Sequence, residues 1–199
     1  MCLNTHITAP VSGLIFKMGL TYKQCLRDMT HNMVIRHNYQ IVGQGARDGG
    51  HGMSSTISSD LLHHCIELPV FEETQTGLAL GMALTGANVI SIYPRFDFFI
   101  SGLSQLVNHS DKIQTMSGGK FKPNVLFRVG VGSKIPLDAG PQHTNNYSQQ
   151  LAAMLTEIDV YELSDPTETL STCQKIEDST GIRVLVEHYE HYEKLTCGN

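Results

Sequence analysis

Apolar residues along this chain follow two alternating rhythms. Leu26, Met29 and Met33 recur at three- and four-residue intervals behind Thr21, a good capping residue, and predict a helix over 21–36. A short, mainly apolar run at 39–42, ended by Gly43, predicts a strand. Residues 44–55 hold Gly45, Gly49, Gly50 and Gly52, too many glycines for regular structure. Ser58 or Ser59 caps a short helix through His64, and a second strand at 66–68 stops at Pro69. The pattern continues with a helix at 72–86, a strand at 89–93 before Pro94, a long helix at 97–117 closed by Gly118 and Gly119, a strand at 125–129 and a loop at 130–145. A helix at 147–156, a strand at 160–163, a helix at 166–179 opened by Pro166 and closed at Gly181, and a strand at 183–186 complete it. Short apolar strands alternating with helices predict an α/β fold, a single doubly wound, mainly parallel sheet with helices on both faces.

Composition narrows the function classes. At 199 residues and 41% hydrophobic, the chain can bury a core as one domain over 20–199, with 1–19 as an N-terminal arm. Charged residues make up only 17%, below the usual figure of about 25%, so part of the surface is expected to be covered by another chain. A net charge of -5 with no Lys/Arg-rich run disfavours nucleic acid. The leader lacks a basic segment, and its longest apolar stretch, at 13–16, is too short for a signal core or a membrane span. A soluble, cytoplasmic protein is expected. Cys2, Cys25, Cys65, Cys173 and Cys197 form no C-x-x-C pair and read as thiols in a reducing compartment.

In such a fold ligands bind beyond the carboxyl ends of the strands, on the loops at 43–55, 69–73, 94–97 and 130–145. The segment G-Q-G-A-R-D at 43–48 lacks a third glycine and runs into no helix, so it is no dinucleotide fingerprint, and no Walker A sequence exists. A flavodoxin-like binding module would need a glycine turn opening a helix, which is also lacking. Glu72 and Glu73 open a helix, where acids can merely complement the dipole. Yet Gly77 and Gly81 follow on the same helix, each costing up to about 1 kcal/mol relative to alanine, so another helix is expected close to that face, in this chain or across an interface. His63 and His64 are neighbours on a helix and should point to different sides, and His188 and His191 in H-Y-E-H lack further ligands, so no metal site is expected.

The run Pro69-Val70-Phe71-Glu72 followed by Gly77-Leu78-Ala79-Leu80-Gly81 resembles the glutamate and glycine motif of the pyrimidine-binding domain in thiamine diphosphate enzymes. It is most similar to the beta subunit of 2-oxo acid dehydrogenase decarboxylating components, a relative of the transketolase middle domain. The resemblance continues through Tyr93-Pro94-Arg95-Phe96-Asp97-Phe98, Gln105 to Asn108, Lys112, Met116-Ser117-Gly118-Gly119, Phe127-Arg128 and Pro141-Gln142-His143. It implies that Glu72 hydrogen-bonds a ring nitrogen of the cofactor's aminopyrimidine, favouring the imino tautomer that deprotonates the thiazolium carbon. It implies that Phe98 stacks on that ring and that His143 contacts substrate. Phe96 and Phe99 read as core.

Departures from the family are equally informative. Gln44 stands where the beta subunits usually carry an acid, 45–59 is shortened, and their C-terminal domain is expected to be missing. No G-D-G with a downstream Asn occurs, so Mg2+ and the diphosphate are expected on an alpha-type partner subunit. The resemblance therefore implies one subunit of a split enzyme that decarboxylates a 2-oxo acid with acyl or aldehyde transfer. It implies assembly as a homodimer through the Gly77/Gly81 helix or as a heterotetramer. Alternatives are a transketolase-like ketol transferase subunit and a non-catalytic scaffold that keeps the fold.

Overall fold

The computed structural model describes residues 19–134 and 138–196; the expected arm, apart from Gly19, lies outside them, as do Cys2 and Cys197. Six strands form one sheet: β1 (Tyr39–Gly43), β2 (Cys65–Glu67), β3 (Asn88–Tyr93), β4 (Asn124–Val131), β5 (Asp159–Leu163) and β6 (Ile182–His188). Their order is β2-β1-β3-β4-β6-β5 and every pairing is parallel, as the alternation predicts. The chain leaves β1 in one direction to make β2 and in the other to make β3, so a crevice opens between the carboxyl ends of β1 and β3.

Helix α1 (Tyr22–His37) starts where Thr21 foretells it. The Thr21 hydroxyl accepts from the Gln24 N–H while the Gln24 side chain accepts from the Thr21 N–H, a reciprocal cap. With α7 (Thr169–Asp178), α1 covers one face, where Leu26, Met29, Met33 and Ile176 pack on Ile41, Ile90, Ile92, Leu126 and Leu185. The other face is covered by α2 (Glu72–Leu84), α3 (Phe96–Phe99) and α6 (Ser148–Met154), whose Ala79, Leu80, Phe96, Phe99 and Leu151 meet Val42, Val89, Val125, Phe127, Val129, Val184 and Val186. Successive strand residues serve opposite faces, both apolar, which is why the strands read as continuous runs.

Buried charges interrupt the α1 face, Arg183 beside Tyr39 and, more centrally, Arg128 with Glu187. Arg128 of β4 is fully buried and donates to Thr30 Oγ1 (2.8 Å), Thr56 Oγ1 (2.9 Å) and Glu187 Oε2 (2.7 Å), while the Tyr192 hydroxyl donates to Glu187 Oε1 (2.8 Å). Burial opposes the Arg128 charge, but Glu187 beside it holds the pKa above its ordinary value.

The continuous helix expected over 97–117 is instead a series of short turns. After α3 come a 3-10 turn (Ile100–Gly102), α4 (Leu103–Gln105), a π turn (Leu106–Ser110) and α5 (Ile113–Met116). At Gly102 a Cβ would lie 2.3 Å from Thr76 Oγ1 and 3.1 Å from the Glu72 carbonyl oxygen, so this segment is pressed against the first turn of α2. Beyond the π turn, buried Asp111 accepts from the N–H groups of Thr156, Glu157 and Ile158 and from Lys112 Nζ. Regular helical geometry yields to these two fixed points.

The glycine expectation splits. Gly77 faces Gln105 of α4, whose Oε1 would be 3.5 Å from a Cβ, so its close approach is made inside the chain, whereas Gly81 has nothing within 4 Å. His63 and His64 do not diverge, contrary to the helical reading. They sit in the last turn of a 3-10 helix (Ser59–His64), where no following turn separates them, and their ring centroids are 4.1 Å apart.

Candidate functional site

The loop after β4 is laid back across the end of its own strand. A Cβ at Gly132 would stand 2.0 Å from the His143 carbonyl oxygen, so only glycine admits the loop at this height. Asn145 Nδ2 ties the loop to α3 by donating to Asp97 Oδ1 and to the Pro141 carbonyl, each at 2.5 Å. The result is a contact between two residues far apart in sequence. Phe98 and His143 meet edge to face, with ring centroids 5.2 Å apart and planes at 86°. Phe98 remains 39% exposed, while Phe96 and Phe99 are buried in the core as expected.

Three polar atoms around this aromatic pair are buried and lack any partner among the described residues: His143 Nδ1, Asp97 Oδ2 and Arg95 Nε. Arg95 is otherwise engaged, donating to the Pro94 carbonyl (2.9 Å) with its guanidinium 4.9 Å from the centre of the Tyr189 ring. Each orphaned atom costs about 1–3 kcal/mol unless a ligand or water meets it, so three together mark a place prepared for one. Sequence reasoning singled out neither Arg95 nor Asp97 nor Asn145. Their only signal was membership of the run from Tyr93 to Phe98 and nearness to His143.

Glu72 is the first residue of α2, half-buried, with a carboxylate that has no partner among the described residues; Glu73 beside it is exposed. Its position is set by the turn it begins. Gln75 Nε2 donates to Ser91 Oγ (3.0 Å) and to the Ile92 carbonyl (2.8 Å), fastening the turn to β3. Thr76 Oγ1 bonds both the Glu72 carbonyl (2.7 Å) and the buried Tyr93 hydroxyl (2.8 Å). Burial, with the nearby Glu72 charge, pushes the Tyr93 hydroxyl pKa up, so it stays protonated. Gly43 at the end of β1 lets the strand pack tightly against this turn, for a Cβ there would come 2.6 Å from the Ile92 carbonyl and 3.1 Å from Gln75 Nε2. Phe98 and His143 are thus brought together, whereas Glu72 touches neither. Its own backbone lies against the segment that follows Phe98, for a Cβ at Gly102 would stand 3.1 Å from the Glu72 carbonyl oxygen.

The glycine-rich loop after β1 has a different occupant. The Glu67 carboxylate accepts from the backbone N–H groups of Gly45 (2.5 Å), Arg47 (2.8 Å) and Asp48 (3.2 Å), filling the nest a phosphate would need. Gln44 is exposed, and its carbonyl bonds His51 Nε2 at 2.7 Å.

Comparison with known proteins gives this geometry a setting. No family model matches the chain. It is 28% identical over 136 residues to the pyruvate dehydrogenase E1 component subunit beta of Rickettsia bellii, covering 66% of this chain and 41% of that protein. It is 34% identical over 83 residues to the mitochondrial E1 beta subunit of Saccharomyces cerevisiae, covering 42% and 22%.

This chain is similar to E1 beta subunits.

The motifs quoted from Glu72 to His143 pointed to the same relatives. The chain spans about two fifths of the length of the Rickettsia relative. A split-gene transketolase solved as an inactive beta4 tetramer shares the fold, with a TM-score of 0.59 at 12% identity over 86% of this chain and 52% of that one. No helix among the described residues is long and apolar enough to cross a membrane.

Proposed function

We propose that this chain is the pyrimidine-domain subunit, over 20–199, of a split cytoplasmic enzyme that uses thiamine diphosphate to decarboxylate a 2-oxo acid and transfer the acyl or aldehyde unit. A separately encoded alpha-type subunit would complete each site and hold Mg2+ and the diphosphate, for which the given sequence has no G-D-G motif. The observation that carries this reading is the Phe98–His143 pair with its unpartnered buried nitrogen, at the end of the sheet where Glu72 opens α2.

These groups fit the aminopyrimidine half of the cofactor. When bound, thiamine diphosphate supplies a carbon nucleophile for the carbonyl carbon and an electron sink for the charge left by departing CO2. Glu72 would hold a proton opposite a ring nitrogen, and its position at the rigid first turn of α2 aims it. Phe98 would offer its exposed face to the ring. His143 Nδ1 and Arg95 Nε would meet polar atoms of the substrate, and the Asp97–Asn145 bond would keep the loop closed over them. Ketol transfer is the second reading, supported by the likeness to a split-gene transketolase. It assigns the same roles and differs in the substrate that a reconstituted complex turns over.

Glu72→Gln separates catalyst from scaffold. The amide retains size and hydrogen bonding but supplies no carboxyl proton, so turnover of the reconstituted complex is expected to fall about 100-fold or more. Thermal stability should change by no more than the helix-dipole contribution of about 0.3–1 kcal/mol. Glu73→Gln should leave turnover intact. If Glu73 proves the sensitive position the assignment is one residue off, and if neither matters the catalytic reading is wrong.

A further inference from the structure

A cluster at the carboxyl end of β6 takes no part in the chemistry proposed above, and its interpretation does not rest on that reading. His188 closes β6, and a single 3-10 turn (Tyr189–His191) returns His191 beneath it, since side chains three apart eclipse in such a turn. The rings stack with centroids 5.5 Å apart and planes at 29°. Each ring has one nitrogen committed to the end of β5. His191 Nε2 lies 3.0 Å from the Ser164 carbonyl, which can only accept, so Nε2 carries the proton. His188 Nε2 lies 3.0 Å from Glu162 Oε1. The same carboxylate accepts from Asn146 Nδ2 (2.7 Å) and Ser148 Oγ (2.5 Å), so it acts as an acceptor toward His188 as well.

With Nε2 of each ring facing an acceptor, the neutral imidazole of each would leave its lone pair on Nδ1. In His191, a residue only 8% exposed, that Nδ1 is buried and has no partner among the described residues. Glu190 adds a carboxylate: one ligating atom each from His188, Glu190 and His191 lie within 4.8 Å of one another. Glu190 has a 58% exposed side chain that can swing inward to close this span. A ring N–H donated to a carboxylate or backbone carbonyl is the support that metal-binding histidines characteristically receive. The residues missing from the sequence reading of H-Y-E-H are thus the carboxylate inside the motif and the two acceptors on β5.

We propose that His188, Glu190 and His191 form a site for a divalent cation of the zinc class, with its open positions facing the adjoining cavity. Two imidazoles and one carboxylate favour Zn2+, Co2+ or Ni2+ over Mg2+ and Ca2+, which prefer oxygen ligands. His188 and Glu190, though not His191, line this cavity of about 700 Å3 with Gly132, Lys134, Thr144 and Lys194, so water or a small anion drawn by the two lysines would complete the coordination.

The test titrates Zn2+ and Co2+ into the full chain without an affinity tag, following heat, melting temperature and the visible absorption of Co2+. One equivalent should bind, raise the melting temperature and give a d–d spectrum, while Mg2+ at the same concentration does neither. His188→Gln, which keeps a donor for Glu162, and the exposed Glu190→Gln should each weaken Zn2+ binding by about tenfold or more and alter the Co2+ spectrum. Failure of the wild-type chain to bind overturns the proposal. So does binding that survives both substitutions, or that is lost instead on His63→Gln and His64→Gln, the other histidine pair.

Discussion

At Gly132 a single absent methyl group decides where His143 sits, because a Cβ there would collide with the carbonyl of the very residue expected to meet substrate. Gly132→Ala must lift the loop or bend the end of β4. Overpacking of this kind costs about 1–3 kcal/mol, and a displacement of about 1 Å at a reacting group can cost on the order of 100-fold in rate. Steady-state kinetics of the reconstituted complex should show that loss. Gly52→Ala, where a Cβ meets only ordinary contacts at 3.5 Å, should be nearly silent in both rate and melting. Glu72, Phe98 and His143 were legible in the sequence because they fall in recognisable runs. Arg95 and Asp97 were not, since an orphaned buried atom exists only once β3, α3 and the 138–146 loop are packed. Arg128 was hidden for the same reason: inside the apolar run of β4 it reads as core until Glu187 arrives beside it. Removing that counter-charge with Glu187→Gln should destabilise the fold by about 3–5 kcal/mol in chemical denaturation.

Among the elements, the strands and α1 were foretold closely, because each depends on local spacing and on caps contained within it. The segment over 97–117 was not. Its apolar positions satisfy a helical period, but Gly102 must approach α2 and Asp111 must reach the N–H groups at 156–158, and neither demand is written in the local pattern. Asp111 makes this element sensitive to acid. Burial alone would raise its pKa, yet the hydrogen bonds from Lys112, Glu157 and Thr156 outweigh it and hold the value at about 2. The unfolded chain binds that proton near pH 3.9, so the stabilisation, on the order of 2 kcal/mol, is fully present well above that pH. It is lost as pH falls from there through 2. Asp111→Asn should lower the melting temperature at pH 7, and the gap from wild type should narrow as scans are taken toward pH 2.

For the molecule as a whole, the low charge content led to the expectation of a covered surface, and the structure supplies an apolar one beside the site. Phe71 is 61% exposed and Val70 57%, next to Glu72, and the open flank at Gly81 lies on the same helix. On the proposed split, which puts Mg2+ and the diphosphate on a partner subunit, the chain alone should bind thiamine diphosphate more weakly than micromolar, about -8.2 kcal/mol. Calorimetry with and without that partner measures the difference. Light scattering of the chain with its partner should find no monomer. The sheet order carries one more consequence, for the way this protein is made. β6 is the last of the six strands to be synthesised, yet it lies between β4 and β5 and brings the only acid that Arg128 contacts among the described residues. A nascent chain halted before residue 182 holds two strands that cannot pair with each other and a cation with no counterpart. The sheet therefore cannot close until β6 has been made, and up to that point its unpaired strand edges are exposed to misassembly.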